Sequence, residues 1–294
     1  MPARKAAVRL PLPPAFDFAW ARDFLAARAA SSVETVTADG YTRAVYLGGQ
    51  PTLLTLRYDE EGGAFELRTD PAAPPAEARR LVARMFDLDA DLGTFQTRAG
   101  ADPLLGPIVA ARPHLRLQQF PDLFEGVVRA IVGQQVSVAG ARTVVDRLAR
   151  DLGEPLPGAP AYRGFPAPEA FLSGGPARIA AAGLTRAKTA ALLGAAEAVL
   201  DGRLDTERLR ALSPEEAQAA LVALPGIGPW TASYLRMRAL GDRDAFPASD
   251  LGVLKALRNL LGDPKLAAQE AERRAESWRP WRAYATLHLW QSLG

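Results

Sequence analysis

Leu224-Pro225-Gly226-Ile227-Gly228-Pro229-Trp230-Thr231 reads as a tight loop opening into a helix, and the rest of the chain is best read from it. Gly226 and Gly228 are expected to turn the backbone at positive φ and to let it come within hydrogen-bonding distance of another chain. Pro229 suits the first position of a helix, whose unpaired N–H groups and partial positive charge favour an anion in front of them. A phosphate suits that place. Upstream, Ser213-Pro214-Glu215-Glu216 supplies an N-cap serine and a first-turn proline, so Pro214 to Ala223 is predicted as a helix. The unit is helix, hairpin, helix.

Twenty positions beyond Trp230 stands Asp250, a lone acid closing the run Phe246-Pro247-Ala248-Ser249-Asp250 at the start of another helix. Each half of this pattern has an ordinary reading. The glycines fit any helix–helix connection, and the acid fits an N-cap interacting with the helix dipole. Together, at this separation, they favour an enzyme site.

The 294 residues are 48% apolar, enough for a large core in one big domain or in two or three smaller ones. No run of about eighteen apolar residues marks a membrane span. Met1 to Pro14 is basic and proline-rich and lacks the apolar stretch of a signal peptide. Cytoplasmic, nucleoid-associated residence is the expectation. Cysteine is absent, which excludes disulfides and cysteine-held zinc or iron–sulfur centres. With only His114 and His288, a histidine-rich metal site or a Ser-His-Asp triad is disfavoured. A net charge of +2 and an isoelectric point near 9.0 are compatible with a polyanionic partner without demanding one.

An α+β fold is expected. After a helix over 16–28, short alternating runs at 33–37, 41–47, 53–58 and 65–69 are separated by Asp39-Gly40, Gly48-Gly49 and Gly62-Gly63, the pattern of an antiparallel meander. A helix over 76–88 follows. From Phe120 the pattern is almost wholly helical, with breaks at glycine and proline clusters, and Pro155 to Pro168 reads as a long loop.

Read end to end, the chain resembles the 3-methyladenine DNA glycosylase II family, the alkylbase-excising branch of the helix–hairpin–helix DNA glycosylases. Besides the hairpin and Asp250, the likeness runs through residues 24–28 and 31–36, Arg84 to Leu88, Phe124 to Val138, Trp278 to Ala285 and His288-Leu289-Trp290. The resemblance implies an N-terminal antiparallel sheet and helix domain (1–91) and a helical domain with the helix–hairpin–helix (119–242). A second helical domain (92–118 and 243–294) carries the catalytic aspartate. It places Asp250 as that aspartate and Trp230, Tyr234 and Trp290 around the damaged base. Gln134, Gln135, Gly226, Gly228 and Thr231 fall on the DNA side. The backbone carbonyls of Val222, Leu224 and Ile227 match the holders of a monovalent cation, Na or K. No other cofactor is implied, and the partner is double-stranded DNA with alkylated bases, bound by a monomer. Two departures stand out. Gln135 occupies the place of an apolar wedge, and Leu251 follows the aspartate where an aromatic ring is frequent.

The chemistry is consistent with these residues. The target nucleotide must leave the stack. N3-methyladenine and N7-methylguanine are cationic, so electron-rich rings attract them, although tryptophan and tyrosine on helices also commonly pack in cores. Such bases leave neutral. The transition state builds positive charge on the sugar, which a carboxylate in a water-poor cleft stabilises. Strand-cleaving relatives use a lysine two residues after the last hairpin glycine; here that position is Trp230, so hydrolysis without a Schiff base is expected. Two rival readings remain at this level: a non-catalytic helix–hairpin–helix DNA-binding module, and a glycosylase for oxidised or deaminated purines.

Overall fold

The computed structural model describes residues 7–294; the basic stretch before Ala7 lies outside the described residues. The glycine-punctuated alternation folds as a meander: β2 (Glu34–Val36), β3 (Gly40–Leu47), β4 (Gln50–Asp59) and β5 (Ala64–Asp70). A further strand, β1 (Val8–Pro11), pairs with β5 and gives the antiparallel order β1-β5-β4-β3-β2. The sequence alone does not mark β1, because four residues ending in proline carry too little pattern; an edge position tolerates that proline. Two helices, α1 (Phe18–Arg28) and α2 (Pro75–Met85), cover the sheet. Phe18, Leu81, Val82 and Met85 pack with Tyr41, Leu54, Leu56 and Phe65.

That apolar core continues without a break into α3 (Leu92–Gly100) and α4 (Leu105–Ala111). It also takes in three late helices, α12 (Leu251–Leu261), α13 (Ala268–Ala275) and α14 (Arg282–Gln291). Residues of the first and last thirds of the chain thus share one interior. A second core holds α5 (Leu123–Gly133), α6 (Val138–Leu152), α7 (Pro168–Ala181), α8 (Arg186–Leu200), α9 (Thr206–Ala211), α10 (Pro214–Val222) and α11 (Pro229–Leu235). Tyr234 packs against both cores, so the seam between them runs past α11.

The segment read as a loop, Pro155 to Pro168, instead contains a hairpin of β6 (Pro155–Leu156) and β7 (Ala159–Arg163). Its alternation is too short to read as strands, and it is held by the neighbouring sheet. Arg163 N–H donates to the Ser32 carbonyl at 2.6 Å, and the Tyr162 hydroxyl donates to Thr35 Oγ1 at 3.1 Å. A buried ion network joins the sheet to α5. Arg43 meets Glu125 at 2.7 Å, and Arg129 meets Glu34 at 2.6 Å and Glu125 at 2.7 Å. Removing one partner from such a network strands a buried charge, at a cost of about 3–5 kcal/mol. Among the described residues no helix is long and apolar enough to cross a membrane.

Candidate active site

Residues four apart on a helix share a face. In α11 that spacing stacks the rings of Trp230 and Tyr234, with centroids 5.5 Å apart and planes 13° from parallel. Tyr234 also faces Trp290 of α14 at 6.5 Å and Phe120 at 6.3 Å. All four rings are half-buried at the seam.

Asp250 is the N-cap of α12, so the helix-capping role is present, but it does not exhaust the carboxylate. Oδ1 accepts the Val253 N–H at 2.8 Å and the Trp290 Nε1–H at 2.8 Å, while Oδ2 accepts the Trp230 Nε1–H at 2.7 Å. The three donors are neutral, so the group is oriented without being neutralised by a cation. Oδ2 keeps a lone pair for a substrate or a water. Gly252 makes this closeness possible: a Cβ there would stand 2.9 Å from Trp290 Cδ1 and 3.0 Å from Asp250 Oδ1.

Trp230 and Tyr234 line a cavity of about 190 Å³ together with Arg28, Phe120, Gly133 and Val136. Trp230 also borders an open cleft of about 690 Å³ that reaches Ser249. Arg28 carries no sequence mark beyond lying one turn after Phe24, over whose ring its guanidinium stacks at 3.9 Å. Burial pushes this guanidinium below the usual arginine range. Behind the wall, Arg238 is buried, donates to the Gln118 carbonyl at 2.9 Å and lies 5.7 Å from the Trp290 ring. Burial pushes its guanidinium down to about 10. Arg28, Phe120, Gly252 and Arg238 are the site members that sequence patterns miss.

The hairpin differs from expectation in one detail. Gly226 has φ +81°, whereas Gly228 has φ −84° and is extended, a conformation open to any residue. A Cβ at Gly226 would lie 2.5 Å from Ala191 Cβ, but one at Gly228 meets nothing within 4 Å. Gly226 is needed by the fold; Gly228 leaves open space in front of α11. Of the residues expected on the DNA side, Thr231 is buried and Gln134 is half-buried and bonded to it. Gln134 Nε2 donates to the Gly226 carbonyl at 2.9 Å and to Thr231 Oγ1 at 3.1 Å, and Thr231 is only 3% exposed. Their hydrogen-bonding groups satisfy each other across the gap between the α5–α6 loop and the hairpin. Gln135 is exposed at φ +58° in that loop.

The carbonyl set read as a cation site fits a hard monovalent ion. The Leu224 carbonyl accepts the Ile227 N–H at 3.1 Å, keeping a second lone pair, and the carbonyls of Val222 and Ile227 accept no backbone hydrogen bond among the described residues. Neutral oxygen donors at a helix C-terminus suit such an ion.

A hairpin with an open face, an aromatic cavity beside it and a carboxylate held by two indoles define a base-excision type of site. Family models agree. Residues 7–122 match the AlkA N-terminal domain, and residues 128–282 match the HhH-GPD superfamily base excision DNA repair protein. The chain belongs to the HhH-GPD superfamily of base excision DNA repair proteins. It is 36% identical to the DNA-3-methyladenine glycosylase 2 of Escherichia coli K12, over 96% of this chain and 95% of that one. In fold it is similar to the 3-methyladenine DNA-glycosylase of Archaeoglobus fulgidus (TM-score 0.85, 24% identity, 97% of each chain covered). It is also similar to an 8-oxoguanine glycosylase/lyase of Clostridium acetobutylicum in complex with double-stranded DNA (TM-score 0.79, 17% identity, 98% of this chain and 95% of that one).

Proposed function

We propose that the chain excises alkylated purines of the 3-methyladenine and 7-methylguanine type from double-stranded DNA by hydrolysis of the N-glycosidic bond, acting as a monomer. The observation that carries this reading is the Asp250 carboxylate, held by Trp230 and Trp290 beside an aromatic cavity. Once the damaged nucleotide leaves the stack, the rings of Trp230, Tyr234 and Trp290 surround its base. The positively charged base is already a good leaving group. As the bond lengthens, charge moves to the sugar, and Asp250 stabilises it and orients the attacking water. Gly226 and Gly228 bring the hairpin backbone to a phosphate, and Gln135 fills the gap in the duplex. A sodium or potassium ion on the carbonyls of Val222, Leu224 and Ile227 would supply positive charge at the hairpin beside the phosphate.

Release of 7-methylguanine from methylated duplex tests the reading. Asp250→Asn should keep fold and DNA binding and lower release by a factor on the order of 10²–10³. Retained activity within about tenfold would remove Asp250 from the chemistry. Borohydride should trap no covalent complex, because Trp230 stands where a Schiff-base lysine is needed. A second reading draws on Arg28. A cation at the cavity wall opposes a cationic base and donates to a carbonyl oxygen, which suits the deaminated purine hypoxanthine. Faster release of hypoxanthine than of 7-methylguanine would favour it.

A further inference from the structure

Lys188 lies in the first turn of α8, just inside the cap formed by Thr185. A cation there opposes the helix dipole, so helix stability does not account for it. Its ammonium crosses instead to the end of α5, donating to the carbonyl of Val132 at 2.9 Å and to that of Gln134 at 2.7 Å. These are end carbonyls that a helix cannot pair within itself. The Gln134 carbonyl belongs to the peptide that leads directly into Gln135, which adopts the left-handed conformation that side chains disfavour. From the other side, the Gln134 amide ties the same loop to the Gly226 carbonyl and to Thr231. The loop is pinned on both flanks while Gln135 stays exposed between them.

We propose that Lys188 is a positioning residue for base eversion, fixing the peptide before Gln135 so that this side chain enters the gap left by the damaged nucleotide. The proposal rests on the glycosylase reading and on Gln135 as the gap-filling residue. Lys188→Met keeps the aliphatic stem and loses both donors, whereas Lys188→Arg restores donors on a different frame.

The test is single-turnover release of 7-methylguanine from two substrates: a fully paired duplex, and the same strand with the lesion in an unpaired loop, where no gap needs filling. Lys188→Met should lose about tenfold or more on the paired duplex, the scale of charge-assisted hydrogen bonds, and clearly less on the loop. Lys188→Arg should recover most of the loss. Made in a Gln135→Ala protein, Lys188→Met should add little, because two residues acting through one side chain are not additive. Equal losses on both substrates, full additivity with Gln135→Ala, or no loss on the paired duplex would overturn the proposal. A wild-type protein that releases no base from either substrate would overturn the glycosylase reading, and this proposal with it.

Discussion

Asp250 caps α12 and accepts two indole N–H groups with the same pair of oxygens. Trp230 therefore presents its ring to the cavity and its N–H edge to the carboxylate, while Trp290 adds a second N–H edge and faces Tyr234. This arrangement depends on Gly252, where any side chain would push the Trp290 edge away. Gly252→Ala isolates that geometry, because alanine is the better helix former by about 1 kcal/mol. The variant should stay folded, the helix gain offsetting part of the strain at Trp290 and Asp250, and should release base about tenfold to a hundredfold more slowly, the scale of a 1 Å misplacement. Thermal melting and single-turnover rates check both halves; a full rate would mean that the Trp290 bond is not needed in the chemistry.

The hairpin between α10 and α11 assigns different duties to its two glycines. Gly226 is held at positive φ against Ala191, so Gly226→Ala should destabilise the fold by about 1–2 kcal/mol or more, read as a lower urea midpoint. Gly228 has free space around it, so Gly228→Asp should leave stability unchanged. That aspartate would face the expected phosphate, and affinity should fall alike for every duplex sequence, with a shallower salt dependence. Fluorescence anisotropy at several salt concentrations would show it, and a loss confined to one sequence would exclude the hairpin as the phosphate clamp.

Two apolar cores meet along the seam where Tyr234 belongs to both, and the cleft exists because they do not merge. The larger core also buries His288 of α14, 1% exposed and 5.5 Å from the Phe95 ring. Burial pushes its imidazole down to about 4, from the ordinary value of 6.5. The folded protein therefore binds fewer protons than the unfolded chain between those values. The stability linked to this group is fully present above the unfolded value and is lost as pH falls through the folded one. Unfolding free energy should decline by on the order of 1–3 kcal/mol between about pH 7 and pH 4 from this group. His288→Leu should flatten that part of the profile in urea titrations. An unchanged slope would place the acid sensitivity elsewhere.

Local pattern by itself determined the hairpin, the meander and the succession of helices, because glycine and proline punctuation and the spacing of apolar residues act over a few positions. It also singled out Asp250, Trp230, Tyr234 and Trp290, through motif and resemblance. Tertiary structure alone decided how they meet. Trp230 and Trp290 lie 20 and 40 positions from Asp250, and only the packing of α11, α12 and α14 converges their N–H groups on its carboxylate. The same holds for the hydrogen bonds that tie Gln134 to Gly226 and Thr231, and for Arg28 reaching the cavity from α1. Each follows from contacts between segments far apart in the chain, where no local periodicity carries information.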